Sequence, residues 1–286
     1  MSTNTQIEWA DKTWSPVVGC TQITPGCAHC YAKTAHDRRH KAYRAGKLQS
    51  MPQYAKPFGE VQLLDDRLLQ PLSWSKPAKV FVNSQSDLFH DDIPDAFIAR
   101  VWATMVLAPR HTFQILTKRP ARMRELLSSG KRFYHMVLDA ANVPRSRQSW
   151  LCEIPISSPT LSPASNIWLG VSVENQRWAD ERIPLLMSTP AAKRFLSCEP
   201  LLGPVDLCNG EHIGHLASID WIIAGAESGH GARPMDHAWV RQLRDQCVAA
   251  GAAFMWKQDG TPNGRKISLP VLDGRQWAEM PELAHA

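Results

Sequence analysis

No stretch of this 286-residue chain approaches the roughly 20 consecutive apolar residues that a membrane-spanning helix needs. The opening Met-Ser-Thr-Asn-Thr-Gln has no basic region followed by an apolar run, so nothing marks a secretory leader. Cysteine is scarce as well: seven residues, an odd number too sparse for a disulfide framework. These absences lead us to expect a reduced, cytoplasmic protein with no membrane partner. No linker divides the sequence, and with 44% hydrophobic residues the chain can fill one large core, so a single domain over residues 1–286 is expected. Neither sign of charge dominates. The 32 Lys and Arg against 27 Asp and Glu leave +5, a lean toward an anionic partner such as a nucleic acid or nucleotide rather than a demand for one.

What the chain does have is a recurring unit, a short apolar run ending in polar residues and followed by a helical pattern. After a short candidate at Pro16–Gly19 the runs are Lys79–Ser84, Thr112–Thr117, Ile167–Val173, Lys193–Ser197, Trp221–Ala224 and Ala253–Trp256. Most are continuously hydrophobic, as strands covered on both faces are. Between them, Asp95–Ala108 repeats Phe97, Ile98, Val101, Trp102, Met105 and Val106 on one face until Pro109. Pro120 opens a helix that Gly130 ends; Asp236 caps another that Gly251 ends. Strand, helix, strand at this spacing implies a parallel α/β sheet, as a partial or complete (β/α) barrel first and a doubly wound open sheet second. Two stretches break the rhythm, about 41–76 and 136–166, and read as insertions.

Three cysteines fall within eleven residues: Cys20, Cys27 and Cys30. Thiolates this close suit a metal, and a set of three leaves a four-coordinate iron or zinc one open position. A closed zinc site is the alternative, with His29, His36 or His40, or the distant Cys152, Cys198, Cys208 or Cys247, as fourth ligand. The residue types leave both readings open. The basic run Lys33–Arg44 could track phosphates or be the solvated face of a helix.

Parallel α/β architectures place their sites at the carboxyl ends of the strands. The residues there are unusually polar: Asn83, Ser84, Ser86 and Asp87; Thr117, Lys118 and Arg119; Ser172, Glu174 and Asn175; Ser197, Cys198 and Glu199; Glu227 and Ser228; Lys257 and Gln258. Their recurrence at one end predicts a shared cavity with the three cysteines.

The segments Ile7-Glu-Trp, Gly26-Cys-Ala-His-Cys-Tyr-Ala32, Val82-Asn-Ser-Gln-Ser-Asp-Leu-Phe-His90, Leu116-Thr-Lys-Arg-Pro120, Leu169-Gly-Val-Ser-Val-Glu-Asn175, Leu196-Ser-Cys-Glu-Pro200 and Ala226-Glu-Ser-Gly229 resemble the phage-encoded three-Cys-motif family, a family of unknown function that is radical-SAM-like. The resemblance implies a radical-SAM-type barrel in which Cys20, Cys27 and Cys30 hold a [4Fe-4S] cluster. The cluster's open iron would bind S-adenosylmethionine (SAM), and an electron would cleave it to a 5′-deoxyadenosyl radical, the cofactors carrying the hard chemistry. Carried over by position, Tyr31 packs near the adenine, Ser84, Ser86 and Asp87 take the place of the motif that binds the SAM ammonium group, and Glu174 accepts ribose hydroxyls. Six residues separate Cys20 from Cys27 where the usual motif has three, so the loop must bulge.

For substrate, the phage resemblance suggests nucleic-acid or nucleotide modification in the host cytoplasm. Lys118, Arg119 and Lys257 would meet phosphates, and Glu199 and Glu227 would accept base or amine hydrogens. An electron donor is implied, and another phage protein is a possible partner. The competing class is a zinc- or cluster-stabilised nucleic-acid-binding or interaction subunit without catalysis.

Overall fold

The computed structural model describes residues 5–141, 164–208, 215–261 and 264–283. An eight-stranded sheet organises them. Its strands are β1 (Lys12–Trp14), β4 (Lys79–Val82), β5 (Thr112–Thr117), β6 (Ile167–Ser172), β7 (Lys193–Cys198), β8 (Trp221–Gly225), β9 (Ala253–Gly260) and β10 (Lys266–Ser268), in that spatial order. Every neighbouring pair is parallel except β9 with β10. Two further strands, β2 (Val17–Val18) and β3 (Gln62–Leu63), pair antiparallel outside it, as do β11 (Val271–Leu272) and β12 (Arg275–Gln276).

Six helices accompany the strands among the described residues: α1 (Tyr31–Arg44), α2 (Asp95–Val106), α3 (Pro120–Leu127), α4 (Lys131–Ala140), α5 (Gln176–Met187) and α6 (His237–Ala250). Asp236 Oδ1 accepts from Ala238 N at 2.8 Å to cap α6, and Gly251 ends it with φ +72°, the left-handed conformation that a Cβ disfavours. None of the described helices is long and apolar enough to cross a membrane.

The sheet is curled into a half-barrel, and Trp9 shows how far. Its ring lies 4.5 Å from Phe81 on β4, 6.4 Å from Phe195 on β7 and 6.1 Å from Trp221 on β8. Strands spaced at about 4.8 Å would put β4 and β8 nearly 20 Å apart if the sheet were flat. One indole touches both because the sheet closes round it. Ala10, Trp168, Ile223 and Met255 complete this inner cluster. Gly170 is glycine because a Cβ there would sit 2.5 Å from the Phe195 ring. The larger core lies on the opposite face, where Val82, Ile115, Leu169, Leu196, Ile222 and Phe254 alternate outward beneath the helices. The barrel stays open between β1 and β10, but Lys266 Nζ reaches Glu8 Oε1 at 2.6 Å across that seam.

The α/β partial barrel expected from the sequence is therefore the observed architecture, with corrections. Its first strand is Lys12–Trp14; Pro16–Gly19 lies beyond it and contributes β2 to the small pair. The segment after Gly130 is helical, so the second insertion cannot begin at 136; its remainder, with Pro144, Cys152, Pro155 and Pro159, falls outside the described residues. The first insertion begins with the end of α1 and continues as short 3-10 turns and β3.

Candidate active site

At the carboxyl ends of the strands the half-barrel holds a cavity of about 420 Å³. Cys20, Cys27, Cys30, Tyr31, Ser84, Ser86, Asp87, Lys118, Glu199, Glu227 and Lys257 all line it, with Ser172 and Ser197 on the inner face below. Glu174 is the exception among the candidates: it belongs to the same end but is fully buried behind the wall.

The cysteine loop lies across this end and is pinned from several strands. Gly19 bridges Ser86, whose hydroxyl donates to Gly19 O at 2.6 Å. Asn83, in the left-handed region at φ 57°, accepts from Val17 N at 3.3 Å and holds the approach to Cys20. Thr24 donates to Glu174 Oε1 at 2.8 Å, and Arg233, beyond β8, donates to Pro25 O at 2.9 Å. Gly26 packs so closely on Glu174 that a Cβ would lie 2.5 Å from its Oε1. A 3-10 turn, Pro25–Cys27, then returns the chain to Cys30 at the N-cap of α1, and Tyr31 donates to Ser84 O at 2.7 Å. The six residues between Cys20 and Cys27 are thus the span from the β4–β5 side of the rim to β6 and β8.

Five acid–base pairs surround the cavity: Asp87 with Arg119, Glu174 with Lys118, Glu199 with Lys257, Glu227 with Arg233 and Glu8 with Lys266. Their environments bear on two sequence expectations, the roles of Asp87 and Glu174. Asp87 Oδ1 accepts from Phe89 N at 3.0 Å and Thr117 Oγ1 at 2.7 Å; Oδ2 accepts from Lys118 N at 3.0 Å and Arg119 Nη1 at 3.3 Å. A carboxylate has about four acceptor positions, and here donors of the chain itself occupy all four. Glu174 Oε1 accepts from Thr24 and Lys118, and Oε2 from Arg182 Nη1 at 2.9 Å, which leaves no access for ribose hydroxyls. Burial would raise its carboxyl pKa, but the charges of Lys118 and Arg182 hold it below the ordinary value. Lys118 and Arg119 are likewise committed to protein partners rather than to phosphates.

Glu199 and Lys257 differ: both face the cavity, 2.9 Å apart, reaching over β8 at Gly225, where a Cβ would lie 2.5 Å from Glu199 Oε1. Glu227 is bound by Arg233, whose hydrogen bonds offset its burial and lower its pKa. Sequence reasoning missed Thr24, Arg182 and Arg233. Arg182 had a signal, since it shares the inward face of α5 with Trp178, Ala179, Ile183 and Leu186.

The histidines proposed as zinc ligands separate. His36 is buried against Tyr54 and Phe58, with Nε2 2.9 Å from Lys56 O, and His40 Nδ1 lies 2.7 Å from Tyr54 O; His29 lines the cavity. Cys198 and Cys247 are buried in the outer core and Cys208 is exposed. Among the described residues no group of three or more His, Cys, Asp or Glu is placed to hold a single metal ion. Cys20, Cys27 and Cys30 are free thiols that line the same cavity.

A family model described as "Protein of unknown function (DUF5131)" matches residues 4–281. The chain belongs to the DUF5131 family. The expectation of an uncharacterised family is met by that match. No curated protein matches the chain. Among solved structures, the chain is similar to spore photoproduct lyase complexed with dinucleoside spore photoproduct, at 12% identity and a TM-score of 0.40, over 83% of this chain and 61% of that one.

Proposed function

We propose that this DUF5131 protein is an iron-sulfur, radical-SAM-like enzyme that modifies a nucleic acid or nucleotide. The observation that carries the reading is the three-cysteine loop pinned over the cavity at the carboxyl end of a parallel half-barrel. Its support from sequence is the resemblance to the phage-encoded three-Cys-motif family. Cys20, Cys27 and Cys30 would hold a [4Fe-4S] cluster, whose chemistry would be one-electron reductive cleavage of bound SAM, the electron coming from an external donor.

The remaining tasks fall to the chain. Trp9 and Phe81 floor the cavity with apolar surface, and ion pairs such as Lys257 with Glu199 stand at its rim. Glu199 and Lys257, adjacent and facing inward, offer an acceptor and a donor to substrate and are the groups placed to hold or move a proton. Tyr31 spans the mouth from α1 to the β4 loop, where an adenine ring would stack. A reductant and a base-bearing substrate are the partners this reading requires, in the host cytoplasm if the protein is phage-encoded.

The test is anaerobic purification with iron and sulfide reconstitution, followed by iron quantitation and electron paramagnetic resonance with and without SAM. About four irons per chain and a SAM-dependent change in the spectrum are expected. Stoichiometric zinc with no iron would overturn the reading.

A further inference from the structure

Arg119 was expected to meet phosphates, yet the fold turns it inward onto the cysteine loop. It follows β5, and its backbone N donates to Thr117 Oγ1 at 2.8 Å. Its side chain is 8% exposed. Nη1 lies 3.7 Å from Cys20 Sγ and 3.3 Å from Asp87 Oδ2, while Nη2 donates to Thr21 Oγ1 at 3.0 Å and Thr21 O at 3.3 Å. One planar fork therefore holds the first cysteine, the residue after it and the carboxylate that orients the fork, a geometry that a lysine point charge cannot reproduce. The arrangement is asymmetric. Cys27 Sγ has Thr24 Oγ1 at 3.7 Å as its hydrogen-bonding neighbour, and among the described residues no guanidinium or ammonium group hydrogen-bonds Cys27 or Cys30.

Asp87 and Thr117 explain why the guanidinium stays there. Thr117 Oγ1 donates to Asp87 Oδ1 and accepts from Arg119 N, so the turn after β5 and the carboxylate after β4 form one closed hydrogen-bonded unit. The segments Ser-Asp87 and Thr-Lys-Arg119 are thus two halves of a single device whose output is a cation beside Cys20. Hydrogen bonds and positive charge at a ligand sulfur favour the more negative, reduced state of an iron-sulfur cluster.

We propose that Arg119 is a positioning residue which fixes the Cys20 arm of the loop and, through its contact with the Cys20 sulfur, raises the reduction potential of the cluster. This rests on the iron-sulfur reading above. The experiment compares wild-type protein, Arg119→Gln and Arg119→Lys, each reconstituted anaerobically, by iron content, electron paramagnetic resonance and midpoint potential in a redox titration. Arg119→Gln should retain its iron but give about a tenfold lower ratio of reduced to oxidised cluster at a fixed ambient potential, equivalent to about 59 mV for a one-electron couple. Arg119→Lys should fall between, because it restores charge without the fork. Should Arg119→Gln fail to fold, Arg119→Lys alone decides, since its potential must still lie below wild type. Equal potentials in cluster-loaded variant and wild-type protein would overturn the role of Arg119 and leave the iron-sulfur reading standing. Wild-type protein that takes up no iron would overturn both.

Discussion

The inner face of the half-barrel is two different surfaces built on the same strands. Toward the amino ends, Phe81, Trp168, Phe195 and Trp221 close around Trp9, and all are at least nine-tenths buried. Two to four residues further along, the inward residues are Ser172 on β6, Ser197 on β7 with Glu199 just past its end, and Lys257 on β9, and the loops beyond add Asp87 and Glu227, with Glu174 buried behind them. The first region is filled and the second is hollow and charged. The difference separates two jobs: apolar burial at one end supplies stability, and polar groups held in pairs at the other supply positioning.

Emptying the filled end should do the largest damage. Trp9→Ala removes the ring that touches three strands and is expected to cost about 3–5 kcal/mol, read by urea unfolding. A cost below about 1 kcal/mol would mean that the rim, not the plug, holds the barrel closed.

Glu174 sharpens the comparison from the other side. It is the rim residue most like a core residue, and Glu174→Ala leaves Arg182, 1% exposed, without its carboxylate; breaking such a buried pair costs about 3–5 kcal/mol. Its pH signature has a definite sign. Because the folded-state pKa lies below the ordinary 4.5, the pair contributes fully above that value, and its contribution is lost as pH falls through the lower folded pKa. Wild-type stability should drop in that acidic window, and Glu174→Gln should flatten the drop.

Gly26→Ala tests positioning with less effect on stability. The new Cβ would press on a Glu174 side chain that Thr24, Lys118 and Arg182 hold still, so the loop must lift. We expect about 1–3 kcal/mol from overpacking and a disproportionate loss of iron incorporation. The smallest effect belongs to Arg233→Ala. Its guanidinium is one-third exposed but the Glu227 carboxylate is 4% exposed, so the loss should be about 1 kcal/mol, and the thermal unfolding midpoint should fall slightly while limited proteolysis near Pro25 quickens.

Six of the sheet strands were legible because covered strands read as continuous apolar runs. The first was not: Lys12-Thr13-Trp14 is an edge strand with one fully buried residue, so Val17-Val18 beside it made a stronger false signal. The edge strand Lys266–Ser268 is exposed throughout and left no pattern to read. At the site, the strand-end rule gathered residues that share one end of the sheet but did not reveal their partners. Asp87 and Glu174 looked available because their partners, Arg119, Thr117, Thr24 and Arg182, come from other loops and from a helix. Tertiary structure, not local spacing, decides which carboxylates have acceptors to spare.

Trp9 also bears on the time order of assembly. It precedes every strand of the sheet, yet its ring neighbours include Phe195 and Trp221, which a ribosome delivers much later. Contacts so distant along the chain close slowly. Until β7 and β8 emerge, this indole has no complete pocket, and the nascent segment around it stays exposed to chaperones. The residue that shuts the barrel's inner floor is among the first made and the last satisfied.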